Sequence, residues 1–142
     1  MQENLLKTFI LENRDLINKQ EWSQVFSRLL DFQSKWEFLQ LVLNQISSFP
    51  GIGLDRQDLA VLGELITTDF ENHINAINIS DLIDTAELDS TNLFEIIKFA
   101  KLLSYFVFKD TETDSYYIAE TLGGMIRFAK SNNIPLINLT EQ

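Results

Sequence analysis

Residues 93–108 read LFEIIKFAKLLSYFVF, and the chain continues through KDTETDS at 109–115 to YYIA at 116–119. How this stretch is read decides the fold. Taken as one helix, Leu93 to Phe108 carries apolar residues on nearly every face. Such a helix belongs in the middle of a bundle or in a dimer interface. Its second half admits another reading. Ser104-Tyr105-Phe106-Val107-Phe108, a polar Asp110–Ser115 loop and Tyr116-Tyr117-Ile118 also fit a β-hairpin. Short apolar runs do not separate helix from strand. Glu95, Lys98, Lys101 and Ser104 interrupt the run, so it is too polar for a membrane span.

Upstream, the apolar period is helical. Leu5, Leu6, Phe9 and Ile10 predict a helix from about Glu3 to Glu12, ended by Asn13. Leu16, Ile17, Trp22, Val25, Phe26, Leu29 and Leu30 continue it, with a break near Asn18. Ser34-Lys35-Trp36-Glu37 matches a capping box, which predicts a third helix burying Trp36, Leu39, Val42, Leu43 and Ile46. Ser47 to Gly53 reads as a loop. Asp55 is the expected N-cap of a helix holding Leu59, Leu62, Leu65 and Ile66. Thr68-Asp69-Phe70-Glu71 matches a second capping box, Ser80 would cap a short helix through Asp81-Leu82-Ile83, and Asp89 or Ser90 would cap the long apolar helix. Downstream, Met125, Ile126 and Ala129 predict a last helix. Arg127 and Lys130 favour its C-terminal dipole, and Asn132-Asn133 with Pro135 ends it.

The expected fold is therefore mainly α: one domain over 1–142, a helical bundle of about six to seven helices, with the hairpin near 104–120 as an open alternative. Within it, 1–48 forms an N-terminal antiparallel helical unit. The stretch 55–90 is an acidic helical middle, and 91–134 holds the apolar central helix and the C-terminal helix. A length of 142 residues suits one domain, and eleven phenylalanines with two tryptophans suffice for a packed core. The absence of cysteine excludes a disulfide framework and thiolate chemistry. It suits a reducing cytoplasm. No basic segment precedes an apolar run at the start, so no secretory signal is expected.

The charge is unevenly placed. The formal net charge is −10, yet residues 1–56 hold seven acids against six bases, and residues 98–142 hold five of each. Residues 57–97 hold nine acids and neither Lys nor Arg. A face of one sign steers an oppositely charged partner and repels nucleic acid. Direct phosphate binding needs clustered Lys and Arg, which the chain lacks, and an anionic membrane is disfavoured for the same reason. The plainer alternative is a solubilising surface.

Catalytic motifs do not assemble. His73 is the single histidine and suits a surface or helix-end position better than a zinc site. Asp110-Thr111-Glu112-Thr113-Asp114 begins like a calcium loop. It then offers Ser115 where glycine makes the turn and Thr121 where a bidentate glutamate belongs. Gly51-Ile52-Gly53 has no preceding strand and so reads as a loop. Gly123-Gly124 inside a helical pattern implies close packing, a kink or a junction with a hairpin. Tyr105, Tyr116 and Tyr117, with Trp22 and Trp36, read as core or core-edge residues rather than interface anchors.

These readings favour a non-catalytic acidic binding protein, with no metal and no cofactor. It would neutralise or mask a basic protein, as an immunity protein blocks a toxin or nuclease, or as a phosphate mimic fills a nucleic-acid-binding groove. The expected contact residues are Asp69, Glu71, Asp81, Asp84, Glu87 and Asp89. The alternatives are an assembly protein acting as a helical homodimer on the 93–108 segment, and an enzyme using carboxylates alone.

Overall fold

The structure is a computed structural model and describes residues 3–139. Among these residues there are eight α-helices and one antiparallel sheet of four strands. The first four helices are α1 (Glu3–Glu12), α2 (Arg14–Asn18), α3 (Trp22–Ser27) and α4 (Phe32–Leu43). Then come α5 (Arg56–Glu71), β1 (Ile77–Asn78), α6 (Ile79–Thr85), a 3-10 turn at Ser90–Asn92 and α7 (Leu93–Leu102). The chain closes with β2 (Phe106–Asp110), β3 (Tyr116–Ala119), α8 (Leu122–Asn132) and β4 (Leu136–Asn138).

The helical character expected from the apolar period is present, but the sheet exceeds a hairpin. β2 and β3 pair through Phe106↔Ala119, Val107↔Ile118 and Phe108↔Tyr117. β1 adds to β3 and β4 adds to β2, both antiparallel, giving the order β1-β3-β2-β4. The two outer strands span only two and three residues. Segments so short cannot display an alternation of their own.

The long apolar helix stops at Leu102 because the chain turns left-handed at Ser104, with φ 63°. The Ser104 N–H donates to the Lys101 carbonyl and the Tyr105 N–H reaches back to the Ala100 carbonyl, which satisfies the free helix end. Beyond this point successive side chains alternate between two apolar layers. Val107 and Ile118 join the main core with Phe26, Leu39, Leu62 and Phe99. Phe108 and Ala119 face the other way, onto Met125 and Phe128 of α8. With both faces covered, no polar residue marks every second position, and the run resembles a buried helix.

Two expected helix starts move and a third is absent. The cap of α4 is Asp31, whose carboxylate accepts from the Ser34 N–H at 2.7 Å, so Ser34 lies inside the helix. The Thr68–Glu71 pattern starts nothing, because Leu59, Leu62, Ile66 and Phe70 keep one buried face running through α5. Asn78 rather than Ser80 caps α6, accepting from the Ser80 and Asp81 N–H groups. Asp55 caps α5 as expected, through the Asp58 N–H. Asp89 accepts from the Thr91 N–H.

Two glycines permit close approaches. A Cβ on Gly63 would lie 2.7 Å from both Leu39 and Trp36, which sets α5 directly against α4. A Cβ on Gly124 would lie 3.2 Å from the Asn75 carbonyl oxygen. The Gly123-Gly124 pair therefore sits where α8 leaves β3 and abuts the loop after α5. Thr121 caps this start, its hydroxyl accepting from the Gly124 N–H at 2.9 Å.

Candidate functional site

The last turns of α5 and the first turns of α6, joined by the loop 72–76 and β1, carry four of the six expected contact residues: Asp69, Glu71, Asp81 and Asp84. α5 ends with His73 in the left-handed region, φ 62°. The His73 N–H donates to the Phe70 carbonyl and the Ile74 N–H to the Asp69 carbonyl. That reversal sends the chain through Asn75 and Ala76 into β1, whose pairing with β3 fixes the start of α6. Asp69 on α5 and Asp81 on α6 consequently line one cleft of about 180 Å³, with Leu65, Ile74, Ile77 and Leu82 as its apolar walls.

Asp69 is half-buried, and desolvation holds its carboxyl above the ordinary aspartate range. Asp81 is exposed. Asp84 is exposed too and lies three residues along α6, so it flanks Asp81 on the same side of that helix. Glu71 is two residues from Asp69 and so points away around α5. Glu87 sits past the end of α6 in the left-handed region, φ 56°, and is exposed. Asp89 serves the 3-10 turn, and hydrogen bonds from Thr91 hold its carboxyl below the usual range. Of the six expected contact residues, then, Asp69 and Asp81 share a cleft and Asp84 adjoins it. Among the described residues, none of the six lies within ion-pair distance of a base. Glu95 differs: it accepts from the Gly53 N–H and pairs with Lys98 at 3.1 Å, so it fastens a loop to α7.

The other sequence candidates resolve into structural parts. Asp110 accepts from the Glu112 N–H at 2.9 Å and from the Thr113 hydroxyl at 3.0 Å, which organises the β2–β3 turn. Among the described residues no group of three or more His, Cys, Asp or Glu is placed to hold a metal. Ile96, Ile97 and Phe99 of the 93–108 segment are buried in the protein's own core. A dimer built on those side chains would have to open the monomer. Among the described residues no helix is long and apolar enough to cross a membrane.

A second group escaped the sequence reading. Lys35 is buried, with its ammonium 4.3 Å over the Tyr105 ring and 3.4 Å from the Ser104 carbonyl oxygen. Desolvation lowers its pKa to about 8, against the opposing pull of Glu120 and Asp31. Burial likewise raises Tyr105, as does the nearby Glu120 charge. Glu120, at the end of β3, has its carboxyl held up by desolvation, and its Oε2 is buried with no hydrogen-bond partner. One signal was available: Lys35 occupies the same stripe as Leu39 and Val42, at i, i+4 and i+7.

Compared with known protein families, curated proteins and solved structures, the chain matches none.

Proposed function

We propose that this chain is a non-catalytic binding protein whose acidic cleft receives a Lys or Arg side chain of a basic partner protein, masking or neutralising it. One observation carries the reading: Asp69 and Asp81 line a single apolar-walled cleft, and no base among the described residues pairs with either. A half-buried carboxylate without a cation is held in an unfavourable state, and an incoming guanidinium relieves it through a charge-assisted hydrogen bond. The apolar walls suit the methylene stem of the same side chain. Asp84, beside Asp81, and the base-free stretch 57–97 supply the wider field that steers such a partner inward. A protein whose own ligand is phosphate presents Arg and Lys in this manner, which makes a nuclease or another nucleic-acid-binding protein the natural class of target.

The test uses an arginine-rich peptide and the same peptide with glutamine at every arginine, titrated by calorimetry at low and high salt. Saturable binding of the basic peptide alone is expected, weakening as salt rises. Asp69→Asn with Asp81→Asn should reduce the affinity about tenfold or more, with the circular dichroism unchanged. Binding that ignores both salt and the double substitution would refute the reading.

A further inference from the structure

On the other side of Ile74 from the acidic cleft lies a second cleft, of about 200 Å³, lined by Phe32, Phe70, Ile74, Glu120, Thr121 and Arg127 among others. It differs from the first in carrying both signs of charge. Glu120 accepts a backbone hydrogen bond from Phe32, but its Oε2 has no partner. Arg127 is exposed and folds back over the first turn of α8, where a Cβ on Gly123 would lie 3.2 Å from its Nη1. Among the described residues neither Glu120 nor Arg127 lies within ion-pair distance of an opposite charge. The two therefore stand on one cleft without a direct ion pair among the described residues, the Lys35 ammonium acting on Glu120 only from beyond that distance.

We propose that this cleft binds a small zwitterion of the α-amino-acid class, its ammonium against Glu120, its carboxylate against Arg127 and an apolar side chain against Phe32 and Phe70. The inference goes beyond the basic-partner reading and involves neither Asp69 nor Asp81. Charge selects the ligand class. A simple cation meets repulsion from Arg127, and a simple anion meets it from Glu120, whereas a molecule bearing both charges satisfies each side. Size agrees. Pockets for drug-sized ligands run from about 300 to 1,000 Å³, so this cleft suits something smaller. The wall chemistry agrees too, since two phenylalanine rings and an isoleucine favour an aromatic or branched aliphatic side chain. Oε2 lies buried, so meeting the ammonium requires the Glu120 carboxylate to turn about its broad terminal torsion and bring an oxygen to the cleft.

Calorimetry and amide chemical shifts would be followed with four probes: L-phenylalanine, L-leucine, phenethylamine and 3-phenylpropanoate. The last two lack the carboxylate and the ammonium respectively. One-to-one saturable binding of the amino acids is expected, about tenfold or more tighter than that of either half-ligand. Arg127→Gln and Glu120→Gln should each weaken L-phenylalanine by a similar factor, while Asp69→Asn with Asp81→Asn should leave it unchanged. Arg127 is on the surface, so its variant decides the matter even if Glu120→Gln disturbs folding. No saturable binding of either amino acid at millimolar concentration would overturn the proposal. So would half-ligands that bind as tightly as L-phenylalanine, or undiminished binding by the Arg127 variant.

Discussion

Lys35 shows how one side chain can set a pH dependence for the whole fold. Burial lowers its pKa to about 8 from the 10.5 of the unfolded chain. Below pH 8 the ammonium is charged in both states and the native state bears the full desolvation cost. Between about 8 and 10.5 the unfolded chain binds more protons than the native one, so stability rises with pH across that window. A gain of roughly 1 to 2 kcal/mol is expected between pH 7 and about 9.5, read from urea midpoints. Lys35→Met should abolish the slope, and a slope that survives the substitution would show that other groups produce it. Backbone conformation at single residues gives a second prediction. Gln20, with φ 56°, is exposed just beyond α2. A left-handed non-glycine residue costs about 1 kcal/mol, part of which glycine gives back through its greater freedom when unfolded. Gln20→Gly should therefore raise stability by about 0.5 kcal/mol; a loss measured by chemical denaturation would contradict this.

At the scale of elements, the contact of α4 with α5 depends on the missing side chain of Gly63. Helix propensity alone favours Gly63→Ala by about 1 kcal/mol. A Cβ there would sit 2.7 Å from carbon atoms of Leu39 and Trp36. Forcing these apart costs about 1 to 3 kcal/mol, so overpacking wins and the variant should melt lower than the parent. A higher melting temperature would mean that Trp36, which is only partly buried, swings aside without cost. The same elements explain what could be read beforehand. α1, the cap of α5 and the end of α8 at Asn132-Asn133 followed from periodicity and capping chemistry. Other ends did not, because glycine, the usual marker, is absent there. Gln20, His73, Glu87 and Ser104 turn the chain left-handed in its place. The Thr68–Glu71 pattern misled because a local hydrogen-bonding option yields to a continuous buried stripe ending at Phe70. The hairpin stayed ambiguous because Val107 and Phe108 are both fully buried, on opposite faces of the sheet.

Across the whole molecule, the base-free stretch was legible as composition, but its layout in space was not. Placing Asp69 and Asp81 together required the reversal at His73 and the pairing of β1 with β3, both long-range consequences of the fold. Once laid out, the acids imply a tension between stability and binding. With a net charge of −10, the folded state concentrates like charges that the unfolded chain spreads apart. Added salt should therefore stabilise the free protein at low ionic strength, since the exposed acids are screened within a Debye length of about 10 Å at 0.1 M. Asp81→Asn with Asp84→Asn should raise stability by about a few tenths of a kcal/mol and flatten that salt dependence. Three roles then separate in one pair of measurements. If the acids only solubilise, the substitutions stabilise and peptide binding is unaffected. If they hold the fold together, the substitutions destabilise. If they form a recognition surface, stability rises while affinity for the arginine-rich peptide falls, because a surface kept ready for a cation is strained until the cation arrives.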